Sequence, residues 1–540
     1  MFWRKKLNVR YWKVHYLLIA VLCFSILAAG CASSTGQQGE LQAPGGSISY
    51  TIADPTGDWG FPSPWGHYQR GPGYIRMSLI FDTLLWKDEK GFVPALAADW
   101  KYDPQEKAYT FTLRDDIYWH DGRKFSAEDV IFTYDYMRNH PYPWVDLQPI
   151  HKVEAAENNM VKFTLKNEFA PFLANVAATM PIIPKHIWEN VSEPRTYREP
   201  LALIGTGPFK LADYSQEQGT YLYRVNENYY GGEVLVDELR FVKISSQMTV
   251  AALTKGEVDA AAIQPEMVNQ LPKEYSVISE TGSSNVKLMF NHQKEPLAQK
   301  EFRQALAYAL NREELTAKAG RGYGLPGNPW FYTPASSWYS PEAEQYEYNP
   351  QKAEEILAEL GYELVTASKG REKGFWAKDG RLVKLELLCD ANLLRAAEVI
   401  KEQLALIGLE IDIKSVESQT RDARVLAWEF DLALNSHGGL GGDPNLFAKF
   451  VLAEDFNSCR YQKNVELQRL IEKQAEQMDE AERQKTVREI QNKLAEEVPF
   501  LTLYYPESYW AHNGRIPLFY TPDGIGIGVP LPLNKLSFLR

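Results

Sequence analysis

The chain has 540 residues, 45% hydrophobic, 24% charged and 13% aromatic, with 36 Gly, 31 Pro and 4 Cys. That balance excludes low-complexity, collagen-like and disulfide-framework chains, each of which needs a compositional bias absent here. The net charge of −12 becomes −17 once the five bases of residues 1–30 are set aside (53 basic against 70 acidic residues), so the body repels a phosphate backbone and nucleic-acid binding is not expected.

Arg4, Lys5, Lys6, Arg10 and Lys13 precede any acid, and Tyr16 to Gly30 forms an apolar to weakly polar run of 15 residues. A membrane-spanning helix needs about 20 apolar residues, whereas a secretory segment needs roughly 7–15 followed by small residues, so 1–30 reads as an export signal. Leu27-Ala28-Ala29-Gly30-Cys31 resembles the lipobox of bacterial lipoproteins, which makes Cys31 the expected lipidation residue. Ala28 departs from the aliphatic residue usual at its place, and a plain secretory signal with an incidental Cys is the alternative. Residues 31–46, rich in Gly, Ser and Gln, cannot bury a core and are expected to form a flexible tether reaching roughly 20 Å.

Two Pro/Gly-rich stretches gather large rings: Trp59, Trp65, Tyr68 and Tyr74 early in the body, Trp330, Trp338 and Tyr339 later. Such rings suit a desolvated ligand pocket, although each one singly also fits packing. Residues 76–200 read as a smaller mixed α/β domain inserted in the chain. Tyr109–Leu113 and Val161–Leu165 alternate as strands do, and Ser126-Ala127-Glu128-Asp129 opens a helix as a capping box. Trp119-His120-Asp121-Gly122 is read as a structural turn, because no nucleophile accompanies the His–Asp pair.

Between 285 and 499 the pattern is α/β. Lys287–Asn291 followed by a helix around Phe302, Ala305, Leu306 and Ala309 is one unit, and Asn349-Pro350 caps a second helix that Gly361 closes. Val383, Leu385 and Leu387 alternate, Ala397, Ile400, Leu404 and Ile407 recur at helical spacing, Gly408 stops the helix, and Leu409, Ile411 and Ile413 alternate again. This strand–helix–strand crossover implies a parallel sheet, whose ligands sit beyond the carboxyl ends of the strands. A strand over 430–434 is followed by the loop 435–444, with Gly438, Gly439, Gly441 and Gly442. His437, Gly439, Leu440 and Asp443 in that loop, with Trp65, Tyr74 and Trp338 from the aromatic stretches, are therefore candidate ligand contacts. The glycines at 524, 526 and 528 read as a terminal turn. Cys389 and Cys459 fit either one disulfide or two buried thiols.

The motifs HExxH, GxSxG and GxxxxGK[ST] and paired-Cys spacings do not occur. No catalytic residue, metal or cofactor is expected. Ile80–Leu85, Pro94–Ala97, Tyr109–Arg114, Trp119–Gly122 and Phe125–Val130 occur in an order and spacing that, with Gly205–Phe209, Gly256–Ala260, Arg303–Leu306 and Asn349–Ala353, resembles the family 5 extracellular solute-binding proteins. These are the oligopeptide-, dipeptide- and nickel-binding proteins that feed ATP-binding-cassette (ABC) importers. The resemblance implies a two-lobed α/β periplasmic-binding-protein-like fold with an extra domain inserted in the first lobe. Lobe I would comprise 47–75, 201–284 and 500–540, the inserted domain 76–200, and lobe II 285–499.

The implied function is capture of a small solute, most readily an oligopeptide, by hinge closure. The partners would be an ABC permease and its ATPase, and the protein a monomer held outside the cell membrane by its lipid. Chelated nickel or an oligosaccharide as cargo, a sensor lipoprotein, and a secreted glycosidase-type enzyme are the alternatives. Peptide-binding relatives carry a Trp after the last lobe strand and, three residues on, an Asp for the peptide amine; His437 and Leu440 hold those places here. Arg424 lies near where relatives place bases for carboxylates.

Overall fold

The computed structural model describes residues 48–365, 374–440, 442–521, 523–529 and 532–540. The expected signal, Cys31 and the tether lie outside the described residues. Among the described residues, no helix is long and apolar enough to cross a membrane, and no group of three or more His, Cys, Asp or Glu could hold a metal ion.

The crossover read from periodicity forms the edge of a large sheet. Lys384–Cys389 is a strand, Leu394–Leu406 a helix with Ala397, Ile400 and Leu404 buried, and Glu410–Ser415 a strand parallel to the first. Gly408 makes the break with φ +85°, and a Cβ there would stand 2.6 Å from the Gly374 carbonyl oxygen. Asn349 caps the helix Pro350–Glu359, its side chain accepting from the Lys352 amide at 3.0 Å.

The sheet is mixed where a parallel one was expected. Leu432–Gly438 runs parallel to Lys384–Cys389, but Ser284–Phe290 is antiparallel to Leu432–Gly438 and to Phe500–His512. The strand expected to stop at Leu434 continues to Gly438, because its neighbour keeps pairing: Asn285 lies opposite His437 and Ser284 opposite Gly438. The loop therefore starts at Gly439.

Twelve strands share this sheet, in a path from Glu410–Ser415 through Lys384–Cys389, Leu432–Gly438, Ser284–Phe290, Phe500–His512, Ala260–Ile263, Ser49–Asp54, Glu238–Lys243 and Thr220–Val225 to Phe209–Ser215. Phe500–His512 is the seam. Its first half pairs with Val286–Met289, its second with Ala260–Ile263 and Ser276–Thr281. Two large hydrophobic cores form, one around Tyr50, Ile52, Phe81 and Phe241, the other around Leu288, Leu306, Leu387 and Leu404.

A separate four-stranded antiparallel sheet lies within 97–165, in the order Ala97–Asp103, Ala108–Leu113, Met160–Leu165, Ile150–Ala156. The helix Ala127–Asn139 accompanies it; at its start the Asp129 carboxylate accepts from the Ser126 amide at 2.9 Å. Phe111, Val161 and Phe163 of this sheet belong to the first core.

The His–Asp pair is scaffold in the structure. His120 Nε2 donates to the Gly207 carbonyl at 3.0 Å while its Nδ1 accepts from the Gly205 amide at 3.3 Å. The C-terminal segment is stitched to the same core by a buried Lys535–Asp82 ion pair and by Trp86 Nε1 donating to Asn534 at 2.8 Å. Cys389 and Cys459 are both free and buried, which decides for two thiols.

Candidate functional site

Beyond the end of Leu432–Gly438 the backbone of the second half meets a turn of the first. Gly439 has φ +83° and Gly528 φ +93°; a Cβ on Gly439 would lie 2.9 Å from the Gly528 carbonyl oxygen, and one on Gly528 2.6 Å from that of Gly439. Only glycine allows this approach in this backbone region. Gly526 in turn lies against the ring of Tyr74. Leu440 donates its amide to Ser283 and buries its side chain in the second core.

Asp443 is held by Arg483 through two bonds of 2.7 and 2.5 Å, and the Arg483 guanidinium stands 5.6 Å from the Trp338 ring. Two charged groups from the first half complete this region. Burial pulls the Lys87 ammonium below its ordinary pKa, opposed by Asp523 and Asp443. Burial raises the Asp523 carboxyl, Lys87 lowers it, and Asp443 adds to the rise. The buried Tyr332 hydroxyl, which feels Asp443, Arg483 and Asp523, has no hydrogen-bond partner among the described residues.

His437 belongs to a second cluster, gathered round one ring. It packs edge-on to Phe450 at 4.2 Å between centroids, and the ammonium groups of Lys287 and Lys449 stand 5.2 and 5.8 Å from that ring's centroid. Lys287 donates to the Asn457 carbonyl, and burial lowers its pKa to about 8. Burial, then repulsion from Lys449, Lys287 and Arg70, holds His437 far below its ordinary pKa, so it is neutral. Arg70, from the first half, sits 5.4 Å from the Phe456 ring and 3.4 Å from Asp422.

The structure thus brings His437, Gly439, Leu440, Asp443 and Trp338 to one edge of the second half. Trp65 is buried among Tyr136, Tyr142 and Trp188, its Nε1 donating to the His140 carbonyl at 3.1 Å. Tyr74 donates to the Thr179 carbonyl at 3.1 Å and reaches the site region only as the backing of Gly526. Arg424 is committed to Glu386 and to the Glu429 carbonyl, each at 2.7 Å. Lys87, Asp523, Arg70, Lys287 and Lys449 were not anticipated. Lys287 alone had a signal, as a single charge inside the apolar strand Val286–Phe290.

A two-lobed α/β molecule with an inserted domain, its lobes sharing one long strand and meeting at glycine loops lined with charge, is the architecture of an extracytoplasmic solute-binding protein. Residues 91–458 match the family described as "Bacterial extracellular solute-binding proteins, family 5 Middle", and the chain belongs to that family. It is 28% identical over 400 residues to the dipeptide-binding protein of Escherichia coli (strain K12), covering 69% of this chain and 72% of that one. Against the oligopeptide-binding protein AppA of Bacillus subtilis (strain 168) it is 28% identical over 457 residues, 80% of this chain and 82% of the other. Among solved structures, NikZ from Campylobacter jejuni in complex with Ni(L-His) superposes with a TM-score of 0.76 at 25% identity, covering 89% of this chain and 97% of that one.

Proposed function

We propose that this protein is an extracytoplasmic receptor, moored by an acylated Cys31, that holds an oligopeptide between its lobes and hands it to the permease and ATPase of an ABC importer. The observation that carries the reading is the junction itself. Gly439 and Gly528 touch across the two halves, and charged groups from both, Asp443 and Arg483 on one side and Lys87 and Asp523 on the other, converge beside them. The peptide-binding relatives support the choice of cargo. In this reading 47–75, 201–284 and 500–540 form lobe I, 76–200 the inserted domain and 285–499 lobe II, and the protein acts as a monomer. Solute bridging the lobes favours the closed population, which is the form a permease reads.

A chelated metal or an oligosaccharide is the second cargo reading. It is favoured by the apolar, buried Leu440 where a peptide amine would need an acid, and by the nickel complex of the structural relative. Thermal unfolding and native mass spectrometry with peptides, chelated nickel and oligosaccharides test both. Peptides should raise the melting temperature reversibly and in proportion to the logarithm of their excess concentration. A shift with chelated nickel or sugars alone moves the cargo to the second reading, and no shift with any class removes the receptor reading. Membrane fractionation of a Cys31→Ser chain tests the mooring, which should be lost.

A further inference from the structure

We infer that the Phe450-centred cluster of Lys287, Lys449 and His437, with Arg70 facing it from the other lobe, receives a carboxylate of the bound solute, and that this contact rather than an acid for an amine fixes the ligand. The inference rests on the receptor reading above and gives it a chemistry.

The argument is one of unbalanced charge. Two ammonium groups lie within 6 Å of one ring centroid, and the acid that offsets both is Asp455. Lys287 gives one hydrogen bond to a carbonyl, and Lys449 has no hydrogen bond or ion pair among the described residues. Burying ammonium groups without matching anions is unfavourable unless a ligand supplies them. The remaining charged and titratable neighbours do not: Arg70 is positive and pairs with Asp422, and Cys459 is a buried thiol pushed up to about 12 by burial. Access exists, because His437 and Lys449 are themselves only half-buried.

The complementary half of the argument concerns the amine. Leu440 is in the second core, and Asp443 already spends both oxygens on Arg483. The acid nearest that expected place is therefore satisfied internally. The two lysines share Asp455 and have no direct ion pair among the described residues. An arriving carboxylate would also favour the protonated form of Lys287, which burial lowers to about 8, so binding should take up protons near pH 8.

The test uses the full chain and equimolar tetrapeptide libraries in four forms: free termini, N-acetylated, C-amidated, and doubly blocked. Acetylation should change the affinity little, whereas amidation should weaken it about tenfold or more, the scale of a lost charged hydrogen bond. Lys449→Gln should abolish the preference for free carboxylates and Lys449→Arg should keep it, with melting curves showing both variants folded. Calorimetry at pH 8 in buffers of different ionisation enthalpy should register proton uptake with free carboxylates only. Equal affinity for amidated and free libraries, or a loss on acetylation as large as that on amidation, overturns the inference while leaving a peptide receptor in place. Failure of all four libraries to bind overturns the peptide reading and the inference together.

Discussion

A β-carbon on Gly205 would stand 2.0 Å from the Ile80 carbonyl oxygen, and one on Gly207 2.6 Å from that of Leu79. These glycines let one backbone lie flat on another: the Gly207 amide donates to Ile80 at 2.8 Å and the Phe209 amide to Leu79 at 3.1 Å. His120 clamps the same segment from its other side, and Thr206 donates to Asp82, the acid paired with Lys535. Gly205→Ala therefore forces backbone against backbone. It should destabilise the chain by about 2–4 kcal/mol, read from the urea midpoint, and a change below about 1 kcal/mol would show that the contact yields freely. The family resemblance singled out the Gly-Thr-Gly segment and the Asp-Gly turn signal the Trp-His-Asp-Gly one, and the structure supplies their reason. The site was less legible. His437 and Asp443 stood out through the glycines around them, but Lys87 and Asp523 come from opposite ends of the chain, and no local pattern foretells that folding sets them beside Asp443.

Elements with one clean period were readable: the strand–helix–strand over 384–415 and the capped helix after Asn349 fold as their apolar spacing dictates. Elements whose pairing overrides their pattern were not. Phe500–His512 carries Pro506, which ordinarily argues against a strand, yet it spans both halves of the sheet. The chain also crosses between the halves at Gly282, with φ +100°, and Ser283, both of whose donors, amide and hydroxyl, are taken by Glu280. Two crossings side by side have the geometry of a hinge, and contacts remote from them also join the halves. One such contact is Arg70–Asp422; others join Asn167 to Glu476 at 3.1 Å and the Ala170 amide to the Ala475 carbonyl at 2.8 Å. Arg70 is half exposed, so the pair should contribute only about 0.2–1 kcal/mol to closure. A double-mutant cycle of Arg70→Ala and Asp422→Ala, read in ligand affinity, should give a coupling of that size with unchanged unfolding midpoints. Zero coupling would mean that the lobes close without this contact, and a shared loss of stability would make it part of the fold.

At the scale of the whole molecule, three histidines, His67 and His292 buried and His120 partly so, stand as neutral rings and tie distant segments together. His67 accepts from the Tyr142 hydroxyl at 3.0 Å and donates to the Tyr68 carbonyl at 2.7 Å, His120 bridges Gly205 and Gly207, and His292 donates to the Cys459 carbonyl at 2.9 Å. Burial lowers each pKa from 6.5 to about 4. In the unfolded chain the same rings titrate near 6.5. Between these values the unfolded state binds more protons than the folded one, so stability falls as the pH drops from about 6.5 towards 4, and above 6.5 these groups contribute no slope. Each contributes up to about 1.4 kcal/mol per pH unit in that window. Urea midpoints should accordingly be level between pH 7 and 8 and decline steeply below 6.5. Replacing His292 with Gln, which can keep the bond to Cys459 without titrating, should remove one proton from the slope. A midpoint unchanged down to pH 5 would mean that the rings accept protons in place, and that the segments they join are looser than their burial implies.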